Sequence, residues 1–182
     1  MYGIQLSSLP LSGKLFCTLY LVGIGCGSIA AFTQAATAVG LSPTAVQASL
    51  APDMPMTHIR HGRPSAEKEI SLVDISSAAR VWIRTPLLIQ TSHTHLFGQT
   101  LIAGLLGLIF LFSAVGERAK TLVVALPFVG TLVDIGGMWL TRFVSLRFGI
   151  LVIVGGSLFA LGYVIIAAVS LYELWLKRER LA

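Results

Sequence analysis

Charge is scarce in this chain. Only 12% of its 182 residues are charged and eight of them are acidic, against 55% hydrophobic residues. Together with a mean hydropathy of +0.83, that scarcity excludes an ordinary soluble domain. Cysteine is also rare. Cys17 and Cys26 fall nine residues apart on one predicted helix and point to opposite sides of it, so they cannot pair with each other. No C-x-x-C occurs, which leaves no zinc or thiol-exchange motif, and no C-x-x-C-H, which excludes covalent attachment of a c-type haem. The chain has no phosphate-binding glycine loop, no carboxylate dyad and no nucleophile–base pair. Histidine is confined to His58, His61, His93 and His95.

What the chain has instead is length in its apolar runs. Four stretches reach the ~20 residues that a membrane span requires: Leu15–Val39, Leu87–Val115, Leu122–Leu140 and Val144–Leu176. The expected fold is an all-α membrane protein, a single four-helix transmembrane domain over residues 1–182, with Gly40–Pro86 as one outer-face loop. The connections Gly116–Thr121 and Thr141–Ser145 are tight, so spans two to four are expected to be antiparallel neighbours. The first span is longer than the 7–15 residues typical of a cleavable apolar region, and reads as a retained anchor.

Basic residues set the expected orientation. With the N-terminus inside, the cytoplasmic face carries Lys14, Arg118, Lys120, Lys177, Arg178 and Arg180. The outer face carries Arg142 and Arg147, while the loop adds Arg60, Arg63, Lys68, Arg80 and Arg84. Trp139 and Trp82 then belt the outer interface, with Tyr172 and Trp175 on the inner one. The reading is N-in and C-in, multi-pass in a bacterial inner membrane, with the long loop periplasmic. The formal charge of +5 reflects that topology; the lipid bilayer is the partner it implies, and nucleic acid is not.

Small residues mark where helices can approach closely. Gly23, Gly27, Ala31 and Ala35 form a stripe on span one, Ala103 and Gly107 on span two, Gly156 and Ala160 on span four. In the loop, Pro43, Pro52, Pro55 and Pro64 predict irregular backbone, and Ala66–Ile83 predicts a short amphipathic helix lying on the outer surface. Thr85-Pro86 then reads as an N-cap followed by proline at the first helical position, restarting the chain as span two.

The chemistry-bearing residues cluster at that restart. His93 and His95 stand at the mouth of a spanning helix, where imidazoles are costly unless they face protein, water or a bound ion. A regular helix separates the two by ~200°, so they do not share a ligand. Ser92, His95, Gln99 and Ala103 make one stripe; His93 shares its side with Thr100, Gly104 and Gly107. In span three, Asp134 needs a partner or a proton. It is expected ~8 Å below Trp139, with Pro127, Thr131 and Met138 on its side and Gly130 giving room. The sequence therefore predicts a polar centre in which Asp134 pairs with or backs His95, with Gln99 one turn deeper.

Two cofactor chemistries fit these residue types. A haem b needs axial histidine or methionine ligands and small residues around the ring; His93 or His95 supplies one ligand, and Met138, His58, His61 or another subunit the second. Soft copper suits Met54, Met56, His58 and His61, whose thioethers and imidazoles alternate along an extended loop. Asp53 with the span histidines makes a zinc or copper alternative. The third course is no cofactor at all, with His95, Gln99 and Asp134 joining helices.

The run Ser92-His93-Thr94-His95-Leu96-Phe97-Gly98, the Gly116-Glu117-Arg118 turn, and Pro127-Phe128-Val129-Gly130 with Asp134 and Trp139 resemble a family of small four-span bacterial inner-membrane proteins. The resemblance covers about Arg60–Trp175, and its H-x-H-x-F-G element is the most specific part. It implies association with respiratory or c-type cytochrome proteins. The expected function is thus an integral subunit of a respiratory-type oxidoreductase, more a non-catalytic subunit than an enzyme, that binds or anchors a haem b electron-transfer centre near the outer face. Its partners would be other membrane or cytochrome subunits. The alternatives are a structural or assembly subunit, and a periplasmic-face copper or zinc handler.

Overall fold

The computed structural model describes residues 5–51 and 83–177. Among them every regular element is helical, and four helices are long and apolar enough to cross a membrane. The long helices are α1 (Leu11–Gln34), α3 (Thr85–Leu111), α4 (Glu117–Phe143) and α5 (Gly149–Trp175); a short helix α2 (Pro43–Leu50) stands between the first two. The loop's predicted surface helix Ala66–Ile83, together with Met54, Met56, His58 and His61, lies at or beyond the edge of the described residues. Only Ile83 of that group is described.

Each boundary has a local cause. A π-helical turn, Ala35–Val39, prolongs α1 until Gly40, whose φ of +93° suits glycine and ends the helix. Pro43 does not break the backbone as the sequence suggested. It occupies the start of α2, where a missing N–H is harmless, while Ser42 caps the helix by accepting from Ala45 N at 3.1 Å. Nor is Thr85 an N-cap: Arg84 holds that position and Thr85 is already helical. Its hydroxyl instead accepts from Arg142 Nη2 at 3.1 Å.

Helix α3 stops four residues short of the predicted Val115. Two tight turns, Phe112 N to Ile109 O and Ser113 N to Phe110 O, close it. Both carboxylate oxygens of Glu173 then accept from Ala114 N, at 3.0 and 2.8 Å, and fix the connection. Helix α4 consequently begins at Glu117, five residues before the predicted Leu122, with an acid in its first turn where the helix dipole favours it.

Helices α4 and α5 form the closest pair. Glycines seven residues apart, Gly130 and Gly137 on α4 and Gly155 and Gly162 on α5, are all buried at their contact. A Cβ on Gly130 would lie 2.6 Å from Phe159 N, and one on Gly162 2.6 Å from Pro127 Cδ. A Cβ on Gly155 would fall on the backbone of Asp134. The predicted stripes are differently placed. Gly23, Gly27 and Gly156 meet nothing within 4 Å, because they face outward. Gly107 does serve a contact, against Val124 of α4. Gly130 gives room to α5, not to a ligand beside Asp134.

Outward faces are apolar: Leu122 is 71% exposed and Phe97 68%. This is the surface of a protein solvated by lipid, since an aqueous domain does not display contiguous patches of that kind. Helix α1 is the most exposed of the four. Tyr163 Oη donates to Leu21 O at 2.8 Å and Trp175 Nε1 to Thr18 Oγ1 at 3.0 Å, pinning α1 to α5. Gly25 makes the first bond possible, because a Cβ there would stand 2.5 Å from the tyrosine oxygen. Of the two cysteines, Cys17 is buried and Cys26 exposed, and both are free.

Neighbouring glycines on α5 test this packing. Gly155→Ala drives a methyl into α4 backbone that cannot yield, and is expected to cost more than the ~1–3 kcal/mol usual for overpacking. Gly156→Ala meets open space and is expected to be neutral or slightly stabilising. Reversible denaturation of both variants in detergent micelles measures the difference; equal stabilities would contradict the helix pairing.

Candidate functional site

Helix α3 meets α4 along a seam whose polar residues recur every seven positions. Thr85, Ser92 and Gln99 stand opposite Arg142, Trp139 and Asp134 in turn. At 1.5 Å per residue the three layers span ~21 Å along α3 but ~12 Å along α4, so they descend into the bundle on a slant. A heptad interval keeps one face toward an antiparallel partner. The register is therefore carried by polar pairs at one end and by Gly107 against Val124 at the other.

The uppermost layer is built around Arg142, which is only 5% exposed. Its guanidinium donates to the carbonyls of Leu50, at 3.5 Å, and Ala51, as well as to Thr85. It thus closes the C-terminal end of α2, where orphan carbonyls and the dipole both favour a cation. Ile83 N donates to Ser49 O at 2.9 Å beside it. The chain on either side of residues 52–82 is held together at this corner.

In the second layer Trp139 Nε1 donates to Ser92 Oγ at 2.8 Å, and the indole stacks on Phe143 with centroids 5.4 Å apart. Indole and hydroxyl satisfy one another at the edge of the bundle, a position that suits the amphipathic ring of tryptophan.

The third layer contains Asp134, 7% exposed, with its backbone against Gly155 and its carboxyl facing the Gln99 side chain. Gln99 Oε1 is buried and has no partner. A carboxylate only accepts, so toward an ionised Asp134 the amide of Gln99 can present only its N–H. His95 stands one turn above Gln99 on the same face, half-buried, with Nδ1 buried and without a partner. The structure thus brings Gln99 and Asp134 together and leaves the expected His95–Asp134 pairing unmade. Antiparallel register, fixed by Ser92 against Trp139 and Gly107 against Val124, sets Asp134 level with the stretch between His95 and Gln99, and the side chain it meets is that of Gln99.

The remaining predicted site residues disperse. His93 is exposed on the outward side of α3, its ring 4.9 Å from that of Phe97 and tilted by 50°. Beside it, Leu96, Phe97, Thr100 and Leu101 line an apolar groove of about 350 Å³. Met138 is buried in an apolar cluster with Val46, Leu50 and Leu88. His93, His95 and Met138 therefore do not converge on one haem pocket. Among the described residues no group of three or more His, Cys, Asp or Glu could hold a metal ion. The loop set Met54, Met56, His58 and His61 lies outside those residues.

Two buried charged residues escaped the sequence reading. Arg142 was counted only as a loop charge, although it follows Asp134 by eight residues and so lies on the same side of the helix. Glu173, 5% exposed, falls inside the predicted fourth span without being singled out. Its signal is Lys177 one turn later, which it meets at 3.3 Å, and it anchors the far end of the bundle through Ala114.

Residues 85–181 match the Aq_1264_TM family, described as a transmembrane helical domain. The match takes in α3, α4 and α5 and with them every layer of the polar seam. No curated protein and no solved structure matches the chain.

A double-substitution cycle isolates the third layer. Gln99→Leu strands a buried acid and is expected to cost ~1–3 kcal/mol. Adding Asp134→Leu removes the stranded group and is expected to recover most of that loss. Unfolding in micelles gives both values; additive losses would mean that the two side chains do not interact.

Proposed function

The chain belongs to the Aq_1264_TM family of transmembrane helical domains, and on that footing we propose that it is a non-catalytic integral subunit of a respiratory-type membrane complex. The observation that carries this reading is His93. An imidazole turned outward at the interfacial end of a spanning helix, with a phenyl ring beside it, is a polar group that a neighbour or a cofactor can engage. A second protein seated against this side of α3 would do so. The groove of Leu96, Phe97, Thr100 and Leu101 next to it offers the apolar surface such a neighbour would cover.

Orientation supports a bacterial inner membrane with the termini in the cytoplasm. Leu6 and Leu174 share one apolar cluster, so both ends of the described chain lie on one side of the bundle. Lys14, Arg118, Lys120 and Lys177 gather at that end, and Arg142 at the other is buried rather than free to read topology. The segment 52–82 is then periplasmic.

A haem b is the electron-transfer group that His93 suits best. On this reading His93 would hold the group from the outward face of α3, and the second ligand would come from His58, His61 or the partner. His95 and Met138 belong to the helix seam and the apolar cluster, and serve the anchor rather than the haem. Copper or zinc binding rests on Met54, Met56, His58 and His61 alone.

Affinity purification of the tagged chain from native membranes in a mild detergent tests the proposal. Stoichiometric co-purification of further membrane subunits is expected, and a chain recovered alone would sink the subunit role. A dithionite-reduced minus oxidised spectrum of the complex then addresses haem. Loss of a Soret and α band in His93→Ala, with subunit composition unchanged, is the expected result. A spectrum without such bands, or bands indifferent to His93, removes haem and leaves the structural role.

A further inference from the structure

Two buried atoms in the third layer of the seam have no partner, Gln99 Oε1 and His95 Nδ1, and one change of state satisfies both. Among the described residues Asp134 has no ion pair. Its side chain meets Gln99, α5 presents backbone at Gly155, and α2 carries no titratable residue. On α4 the nearest cation is Arg142, two turns away and engaged with Leu50, Ala51 and Thr85. The titratable groups of α5, Tyr163, Tyr172 and Glu173, belong to the opposite half of the bundle. Tyr163 bonds Leu21 and Glu173 bonds Ala114 and Lys177. A carboxylate so placed in lipid is stabilised most simply by taking up a proton.

We infer that Asp134 is a proton-binding site coupled through Gln99 to His95. With its carboxyl protonated, Asp134 donates O–H to Gln99 Oε1. That exchange turns the amide of Gln99 by 180°, and its N–H then points back one turn along α3. His95 is the residue there, four positions away on the same helix face, where side chains are neighbours. Its Nδ1 accepts from Gln99, which fixes the neutral ring with hydrogen on Nε2. The proton enters from water at the α2 end of the seam, binds one carboxylate oxygen, and leaves no other group charged. When Asp134 ionises, Gln99 must donate to the carboxylate again, and His95 Nδ1 loses its donor.

Below this layer the α3 face turns apolar through Ala103, Leu106 and Phe110, all buried. The site is therefore open to protons from one side only. It reports the protonation state of a carboxyl as the tautomer of an imidazole one turn nearer the surface. This holds for the isolated chain and does not depend on membership of a larger complex.

The test uses the full chain in phosphatidylcholine nanodiscs. Infrared spectra of wild type minus Asp134→Asn are expected to show a protonated-carboxyl stretch at neutral pH that shifts in Gln99→Leu. Histidine ¹⁵N spectra, with His95→Ala for assignment, are expected to show Nδ1 of His95 as a hydrogen-bonded acceptor. That signature disappears in Gln99→Leu, and in wild type as pH is raised through the loss of the carboxyl band. In Asp134→Asn, whose amide N–H mimics the acid, it persists at every pH at which the His95 ring is neutral. An empty infrared difference at neutral pH overturns the inference. So does a His95 signature indifferent to both Gln99→Leu and the ionisation of Asp134.

Discussion

Lipid supplies no hydrophobic drive between helices, so this fold depends on how near two backbones can come. At the α4–α5 contact four glycines on a seven-residue interval remove every side chain that would hold the helices apart. The gain is dispersion and close backbone contact over much of both helices. Asp134 stands in the middle of that contact, with Gly155 against its backbone. Its carboxyl is consequently aimed toward α3 by a support that cannot be displaced sideways. The tightest packing in the molecule and its most polar layer are two sides of one residue.

The polar seam on the other side of α4 has a different task. Apolar helices in lipid slide past one another at little cost, because one leucine contact is worth much the same as the next. Three polar layers, seven residues apart on α3, remove that freedom. Displacing α3 by one turn would part Thr85 from Arg142, Ser92 from the Trp139 indole and Gln99 from the buried acid at once. Such pairs are modest singly, on the order of 0.6 kcal/mol on average in a membrane. Acting together at a fixed interval, they select one register.

Much of this was legible in the sequence, for reasons that can be traced to particular residues. The four apolar runs could only be helices in a bilayer, and the Ser92, His95, Gln99, Ala103 stripe follows from helical periodicity alone. Helix ends were less legible. Glu117 and Arg118 looked like connection, yet α4 starts there because Glu173, fifty-nine positions along from Ala114, holds the preceding turn. Glycine stripes were misassigned because spacing by four is a local pattern, whereas contact requires that the facing helix also be small. Gly155 and its neighbour Gly156 are indistinguishable in sequence, and only the position of α4 decides between them. Arg142 shows the same limit. Its partners include the carbonyls of Leu50 and Ala51, and backbone has no letter in a sequence.

The corner where Arg142 holds Leu50, Ala51 and Thr85 bears on how this chain can vary. Because Ser49 and Ile83 are hydrogen-bonded to one another, the polypeptide departs from and returns to a single point on the bundle. Whatever number of residues lies between, the start of α3 is set by the guanidinium. The point at which α3 begins is thereby uncoupled from the number of residues that precede it, so a change in that number need not shift the register of the helices that follow.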